Sequence, residues 1–194
     1  MQTDERIAVS MAELLRRQGY AATGIKQVVD ASGAPIGSVY HHFPGGKRAV
    51  AATALRQSGA AYGELVASLL APHEDIADGI EFAFAAAAED IEQTGWANMC
   101  PVGTVAGEVA DVEPELRQVA AEVFDAWITN GAALFRARGL GDDDARALIV
   151  AVIAALEGAF VMARTMRSSE PLTAAGRGVA AYARTLRSVG VRSG

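Results

Sequence analysis

The chain predicts an all-α fold, and three observations carry that prediction. Hydrophobic residues make up 51% of the sequence but aromatics only 6%, so the apolar content is largely Ala, Val and Leu. Ala and Leu favour helix, and runs of Val, Ile, Thr and Tyr between turn signals, the mark of strands, are hard to find. Glycines and prolines instead punctuate segments whose apolar residues recur at three- and four-residue steps. With 194 residues there is room for a small N-terminal domain and one helical body with a real core.

Each element follows from its own boundaries. A first helix is predicted over residues 3–18: Thr3 can cap its start, Asp4 and Glu5 suit the positive end of the helix dipole, and Gly19 stops it. Ile7, Met11, Leu14 and Leu15 make its apolar stripe. A second helix, over 25–31, is expected to bury Ile25, Val28 and Val29. Ser32-Gly33 then supplies a sharp turn, because glycine tolerates the left-handed backbone that a reversal needs. Pro35 takes a first helical position, and 36–43 forms the third helix. Pro44-Gly45-Gly46 ends it, and a long helix over 47–70 connects to the body. Pro72 opens a helix over 73–93, residues 94–103 read as irregular, and helices follow over 104–110 and 114–138. Gly139-Leu140-Gly141 turns the chain, the aspartates 142–144 cap a helix over 144–166, and a last helix spans 173–188. Only the final few residues are expected to lie outside any element.

The formal net charge of −6 argues at first against a polyanionic partner. Its distribution reverses that argument. Residues 1–56 hold Arg6, Arg16, Arg17, Lys26, Lys47, Arg48 and Arg56 against Asp4, Glu5, Glu13 and Asp30, a net +3 that leaves −9 for the remainder. This asymmetry suggests a basic reading head on an acidic body. The single cysteine, Cys100, forbids an intramolecular disulfide and fits a reducing cytoplasm. No charged segment precedes an apolar run at the N-terminus, and no uninterrupted apolar segment is long enough for a bilayer; the most apolar stretch, 147–163, contains Glu157. The expectation is a soluble cytoplasmic protein with no membrane partner.

Residues 23–50, TGIKQVVDASGAPIGSVYHHFPGGKRAV, carry the chemistry. Two short helices, a Gly-containing turn, an aromatic-rich stop and a basic helix start follow in the order found in helix-turn-helix units that enter the DNA major groove. On the third helix Ile36, Val39 and Phe43 share one face and are expected in the core. The opposite arc offers Gly37, Ser38 and His41, with Tyr40 and His42 on its flanks. Ser38 and His41 can hydrogen-bond to base edges or phosphates, and Gly37 lets the backbone come close. Tyr40 carries a hydroxyl on a rigid ring, suited to a phosphate oxygen. Lys47 adds a cation at a helix start, an anion seat. Thr23 is expected to cap the second helix and donate to the DNA backbone, and Gln27 and Pro35 complete the expected contact set. His41 and His42 are adjacent, so they point about 100° apart on a helix and suit no shared metal. No metal site and no cofactor are expected.

The run GYAATGIKQVVDASGAPIGSVYHHFPGGKRAV resembles the DNA-binding segment of the TetR family of bacterial transcriptional regulators. The match covers roughly the first quarter of the chain: Gly19-Tyr20, Thr23, Val28, Gly33, the run from Gly37 to Phe43, and Lys47 fall in family order. Pro44-Gly45-Gly46-Lys47 and the later Cys100-Pro101-Val102-Gly103 look like the LmrA/YxaF-like branch. The resemblance implies a helix-turn-helix DNA-binding domain over 1–46 and a helical ligand-binding and dimerisation domain over 47–194. It further implies a homodimer on double-stranded, palindromic operator DNA, released by a small-molecule effector. Pro35-Ile36 departs from the polar pair, such as Ser-Lys, that many members carry, so no relative's operator transfers to this chain.

In the body, bulky side chains stand out against alanine. Phe82, Trp96, Met99, Cys100, Phe124, Trp127 and Phe160, with Glu157 as polar anchor, are the expected lining of an apolar ligand pocket. Each is otherwise a core residue, Glu157 otherwise a solvated or dimer-edge carboxylate, and Cys100 otherwise a buried thiol. Small residues at close intervals, Ala147, Ala151, Ala154, Ala155, Gly158, Gly178, Ala181 and Ala183, suit a four-helix dimer interface. Two other functions compete: an enzyme, for which no metal spacing, nucleophile elbow or phosphate loop is present, and a DNA-independent helical adaptor.

Overall fold

Apolar residues at helical steps produce nine helices and no strand among the described residues, which in this computed structural model are 1–190 for the backbone and 1–186 for side chains. In chain order they are α1 (Thr3–Gln18), α2 (Ile25–Ser32), α3 (Ile36–His42), α4 (Gly46–Leu70), α5 (Ile76–Gln93), α6 (Pro101–Val109), α7 (Pro114–Arg136), α8 (Asp142–Met166) and α9 (Glu170–Gly190). The all-α prediction holds. The expectation for the last few residues falls on 191–194, outside the described residues.

Capping chemistry moves several boundaries from those predicted. Gln2, not Thr3, precedes α1, and its amide donates to the Glu5 carboxylate at 3.2 Å. α5 opens after Asp75 rather than Pro72, because the Asp75 carboxylate accepts from the amides of Ala77 (2.7 Å) and Asp78 (3.2 Å). α6 begins inside the segment read as irregular: Cys100 is its N-cap, and Pro101 occupies the first turn, where a missing N–H leaves no bond unmade. α8 takes all three aspartates, Asp142, Asp143 and Asp144, into its first turn beside the positive end of the dipole.

The chain packs as two compact units that do not part at residue 46. The first joins Met1–Tyr62 to Met99–Phe124, the second Gly63–Asn98 to Asp125–Gly194. In the first, α1 packs against α2, α3 and α6. Its core holds Ile7, Met11 and Leu15 of α1, Val28 of α2, Val39 of α3, Val50 and Leu55 of α4, Val102, Val105 and Val109 of α6, and Leu116 of α7. Leu14, Ile25 and Val29, expected beside them, are only half-buried. Burying each large apolar side chain contributes about 1.5–3 kcal/mol. The exposed pairs Arg48–Glu115 (2.8 Å) and Arg56–Glu122 (3.1 Å) join α4 to α7, but such pairs contribute about 0–1 kcal/mol each. Packing holds this unit together.

In the second unit α9 packs along α5 and α8. Ile80, Phe84, Ile91, Phe135, Leu148 and Leu172 are its fully buried large side chains. By length and composition α8 is apolar enough to cross a bilayer, although Glu157 interrupts its apolar run. Its apolarity has two destinations. Leu148, Ile149, Val152, Ala159, Phe160 and Ala163 are buried in the unit, while Ala147, Val150, Ala154, Gly158 and Val161, at helical steps, are exposed.

Gly176 sets how closely α9 approaches α5, since a Cβ there would lie 2.6 Å from Phe84 Cβ. Gly176→Ala is expected to cost about 1–3 kcal/mol in overpacking, only partly offset by about 0.8–1 kcal/mol of helix propensity. Gly107→Ala is the control: nothing lies within 4 Å of a Cβ at that exposed position of α6, so it is expected to stabilise by about 0.5–1 kcal/mol. Urea midpoints of the two variants should move in opposite directions.

Candidate nucleic-acid interface

The α2–turn–α3 unit is built from three local devices. Gly33 ends α2 in the left-handed region (φ +64°, ψ 15°), its amide donating to the Val29 carbonyl at 3.0 Å. The Ala34 amide donates to Ser32 Oγ at 3.3 Å, holding the turn. Pro35 is the N-cap of α3 rather than its first residue, and its carbonyl accepts from the amides of Ser38 (2.9 Å) and Val39 (3.3 Å).

Only two side chains anchor α3 in the core, Val39 and Phe43. Ile36, expected beside them, is 48% exposed. It stands at the first helical position, where the buried face has not yet come under cover. The outward arc therefore comprises Pro35, Ile36, Gly37, Tyr40 and His41, with Ser38 half-buried at its edge. Nothing lies within 4 Å of where a Gly37 Cβ would stand, so its backbone is bare. Tyr40, 51% exposed, has its ring beside Gly46, where a Cβ would lie 3.4 Å from Tyr40 Cε1. The His42 ring meets His41 edge-on, 5.1 Å between centroids.

Three other expected contacts fare differently. Thr23 is corrected: it is fully buried, and its hydroxyl donates to the Gly19 carbonyl at 2.6 Å, tying off the end of α1. The α2 cap is Gly24, whose amide donates to Gln27 Oε1 at 2.7 Å. Gln27 also accepts from Gln18 Nε2 (3.2 Å) and remains exposed. Lys47 holds its Nζ 4.0 Å above the centre of the Tyr20 ring. Burial pushes the Lys47 ammonium below lysine's ordinary value, against the carboxylates of Glu108 and Glu113, which raise it.

The residue that sequence reasoning missed is Glu108. From α6 its carboxylate accepts from the amides of Tyr20 (2.7 Å) and Ala21 (2.5 Å), 88 and 87 residues away. Gly19 suits this corner by its φ of +76°, and a Cβ there would lie 2.6 Å from Glu108 Oε2, so a larger residue would push the carboxylate aside. The basic excess also changes meaning. Arg16 and Arg17 pair with Glu13, Arg48 with Glu115 and Arg56 with Glu122. Lys26, exposed on α2 beside Gln27, is a cation that the sequence reading counted but did not assign.

The expected ligand set divides between the units. Met99, Cys100 and Phe124 belong to the first, and Phe82, Trp96, Trp127, Glu157 and Phe160 to the second. Phe82 is 47% exposed, its ring 4.8 Å from that of His73. Trp96 (φ +67°) is half-buried, its amide donating to the Ile91 carbonyl at 2.8 Å in the turn that closes α5. Trp127 and Glu157 are half-buried, and Phe160 is buried. In the first unit Phe124 is half-buried and Met99 buried. Cys100 is buried at the start of α6, where its Sγ accepts from the Gly103 amide at 3.5 Å.

Glu108→Ala strips both amides at the end of α1 of their acceptor, which is expected to cost about 1–3 kcal/mol. Hydrogen exchange should accelerate at Tyr20 and Ala21 ahead of the rest of the unit; unchanged protection there would refute the role assigned to Glu108.

Residues 10–54 match the profile of bacterial regulatory proteins of the tetR family, and residues 77–178 that of the transcriptional regulator LmrA/YxaF-like C-terminal domain. The HTH-type transcriptional regulator YxaF of Bacillus subtilis is 31% identical over 168 residues, 87% of this chain and 88% of its own. An HTH-type transcriptional regulator of Mycobacterium tuberculosis is 35% identical over 173 residues, 87% of each chain. A TetR transcriptional regulator from Chloroflexus aurantiacus, known from its crystal structure, aligns with a TM-score of 0.76 at 30% identity over 93% of both chains. Since both halves match and the helix-turn-helix stands where the first match falls, the chain belongs to the TetR family of DNA-binding transcriptional regulators, in its LmrA/YxaF-like branch, and is not an enzyme.

Proposed function

We propose that this regulator is a repressor that binds a palindromic operator as a homodimer and leaves it when a small, largely apolar effector occupies the helical body. The observation that carries the DNA side is the outward arc of α3, with Gly37, Tyr40 and His41 exposed and Val39 and Phe43 buried behind them. A short helix held by one face presents the other to the major groove. In this reading Gln27, Pro35, Gly37, Ser38, Tyr40, His41 and Lys47 make the contacts, joined by Lys26. A chain that works on chromosomal DNA acts in the cytoplasm.

The exposed stripe of α8 supports the homodimer. Ala147, Val150, Ala154, Gly158 and Val161 share it, and Gly178, Ala181 and Tyr182 are exposed on α9. Small residues let helices of a second copy approach closely. Ala183, expected with them, is buried within its own unit and drops out. Pairing two heads through this face raises the effective concentration of the second for its half-site. Effector release follows if the ligand prefers the protein conformation that does not fit the operator, since a ligand binding both equally shifts nothing. Its proposed contacts lie within a single unit: Trp96, Trp127, Glu157 and Phe160 in the second, or Met99, Cys100 and Phe124 in the first.

Mobility shift on a selected operator tests the DNA side. Tyr40→Phe and Lys47→Ala are expected to weaken binding about three- to tenfold, the loss of one hydrogen bond or ion contact. Lys26→Ala should weaken all sequences alike and lower the slope of log K against log salt by about 1 per protomer. Wild-type affinity in all three would refute the assignment. Val161→Glu should convert the dimer to a monomer in sedimentation and abolish cooperative operator binding. An unchanged dimer would move the interface elsewhere.

A further inference from the structure

We propose that Ile36 is a specificity-determining residue that reads a thymine in each half-site by packing its side chain against the C5-methyl group. The inference rests on the DNA contacts proposed for α3 and deepens them.

Ile36 belongs to neither the core nor the polar surface. It is 48% exposed, although Val39 and Phe43, at its own three- and seven-residue steps, are buried. On the wheel of α3 it lies next to Tyr40, one turn on and 51% exposed, and both border the bare backbone of Gly37. The three residues make a narrow apolar strip on the outward arc of the helix-turn-helix, edged by His41 and the half-buried Ser38.

The chemistry of that strip selects its partner. An isoleucine side chain has no donor or acceptor, so it satisfies none of the N7, O6, O4, N6 or N4 groups lining the major groove. Set against one of those groups, it would displace water and leave the base edge unpaired. The C5-methyl of thymine is the one apolar feature that the four bases present there. Isoleucine is also stiff at χ1, so little freedom is lost when it is pressed against a base. Pro35 and Ile36 open this end of the helix without a side-chain donor or acceptor, so the contact it offers there is apolar.

Selection of bound duplexes from a random pool with the full-length wild-type chain gives the operator. Each thymine is then exchanged singly for deoxyuridine, which keeps every base-pairing group and lacks only the methyl. The expected result is one thymine per half-site whose exchange weakens wild-type binding about fourfold, the factor corresponding to one buried methyl-sized group. Ile36→Ala should bind the thymine operator more weakly by a similar factor and be indifferent to uracil at that position. Ile36→Lys should change the base selected there, with guanine favoured. If the wild-type chain selects a duplex but no thymine depends on its methyl, the proposal fails and the DNA reading of α3 stands. An equal uracil penalty in Ile36→Ala would also overturn it. If no duplex is enriched, the DNA contacts proposed for α3 fail together with it.

Discussion

A seven-residue helix does not persist in water by itself, because the cost of its first turn is not recovered over so few hydrogen bonds. α3 (Ile36–His42) has that length and exists because Val39 and Phe43 are buried. This constraint decides the rest of the interface. Burial of one narrow face fixes the rotation of the helix about its axis, and the rotation determines that Gly37, Tyr40 and His41 point outward. The Gly33 turn and the Pro35 cap set where α3 begins, but they hold no face against anything. A change at Val39 would therefore alter how that arc is presented, although Val39 itself is fully buried.

The second dependence runs through Glu108. The amides of Tyr20 and Ala21 lie just past the end of α1, and they find their acceptor in a carboxylate brought by α6. The same corner holds Gly19, buried Thr23, and the Lys47 ammonium above the Tyr20 ring. Tyr20's hydroxyl is pushed up by burial, with the Glu113 carboxylate adding to it and Arg48 opposing. One corner thus ties together the end of α1, the approach to α2, the start of α4 and the end of α6. The compact unit that holds the helix-turn-helix also includes 99–124.

What the sequence made legible follows from the range of each interaction. Helix periodicity, glycine stops and the turn at Ser32-Gly33 are local, and they placed α1 to α4 within a residue or so. Caps shifted α5 and α6, since Asp75 and Cys100 compete with the nearby prolines and only the folded backbone decides between them. Ile36 obeyed the period of the buried face and still came out exposed, because periodicity gives direction from the axis and not where the covering neighbour stops. Thr23 carried the expected capping hydroxyl but turned it toward Gly19 instead of α2. Glu108 left no local signal, being an exposed glutamate on a short helix whose partners lie 88 and 87 positions earlier.

The Glu108 link also bears on how an effector would reach DNA. α6 begins at Cys100–Pro101, next to Met99, and ends with Glu108 on the amides of α1. All of it lies in the unit that holds the helix-turn-helix. A ligand in contact with Met99 or Cys100 would then act on the core of the reading head itself, with no relay through another body. The two bonds of the exposed Glu108 carboxylate to these amides together contribute about 1–3 kcal/mol, the loss expected in Glu108→Ala. A coupling of 1–3 kcal/mol changes affinity about 5- to 150-fold, so making or breaking this one contact has the right size to switch occupancy of an operator.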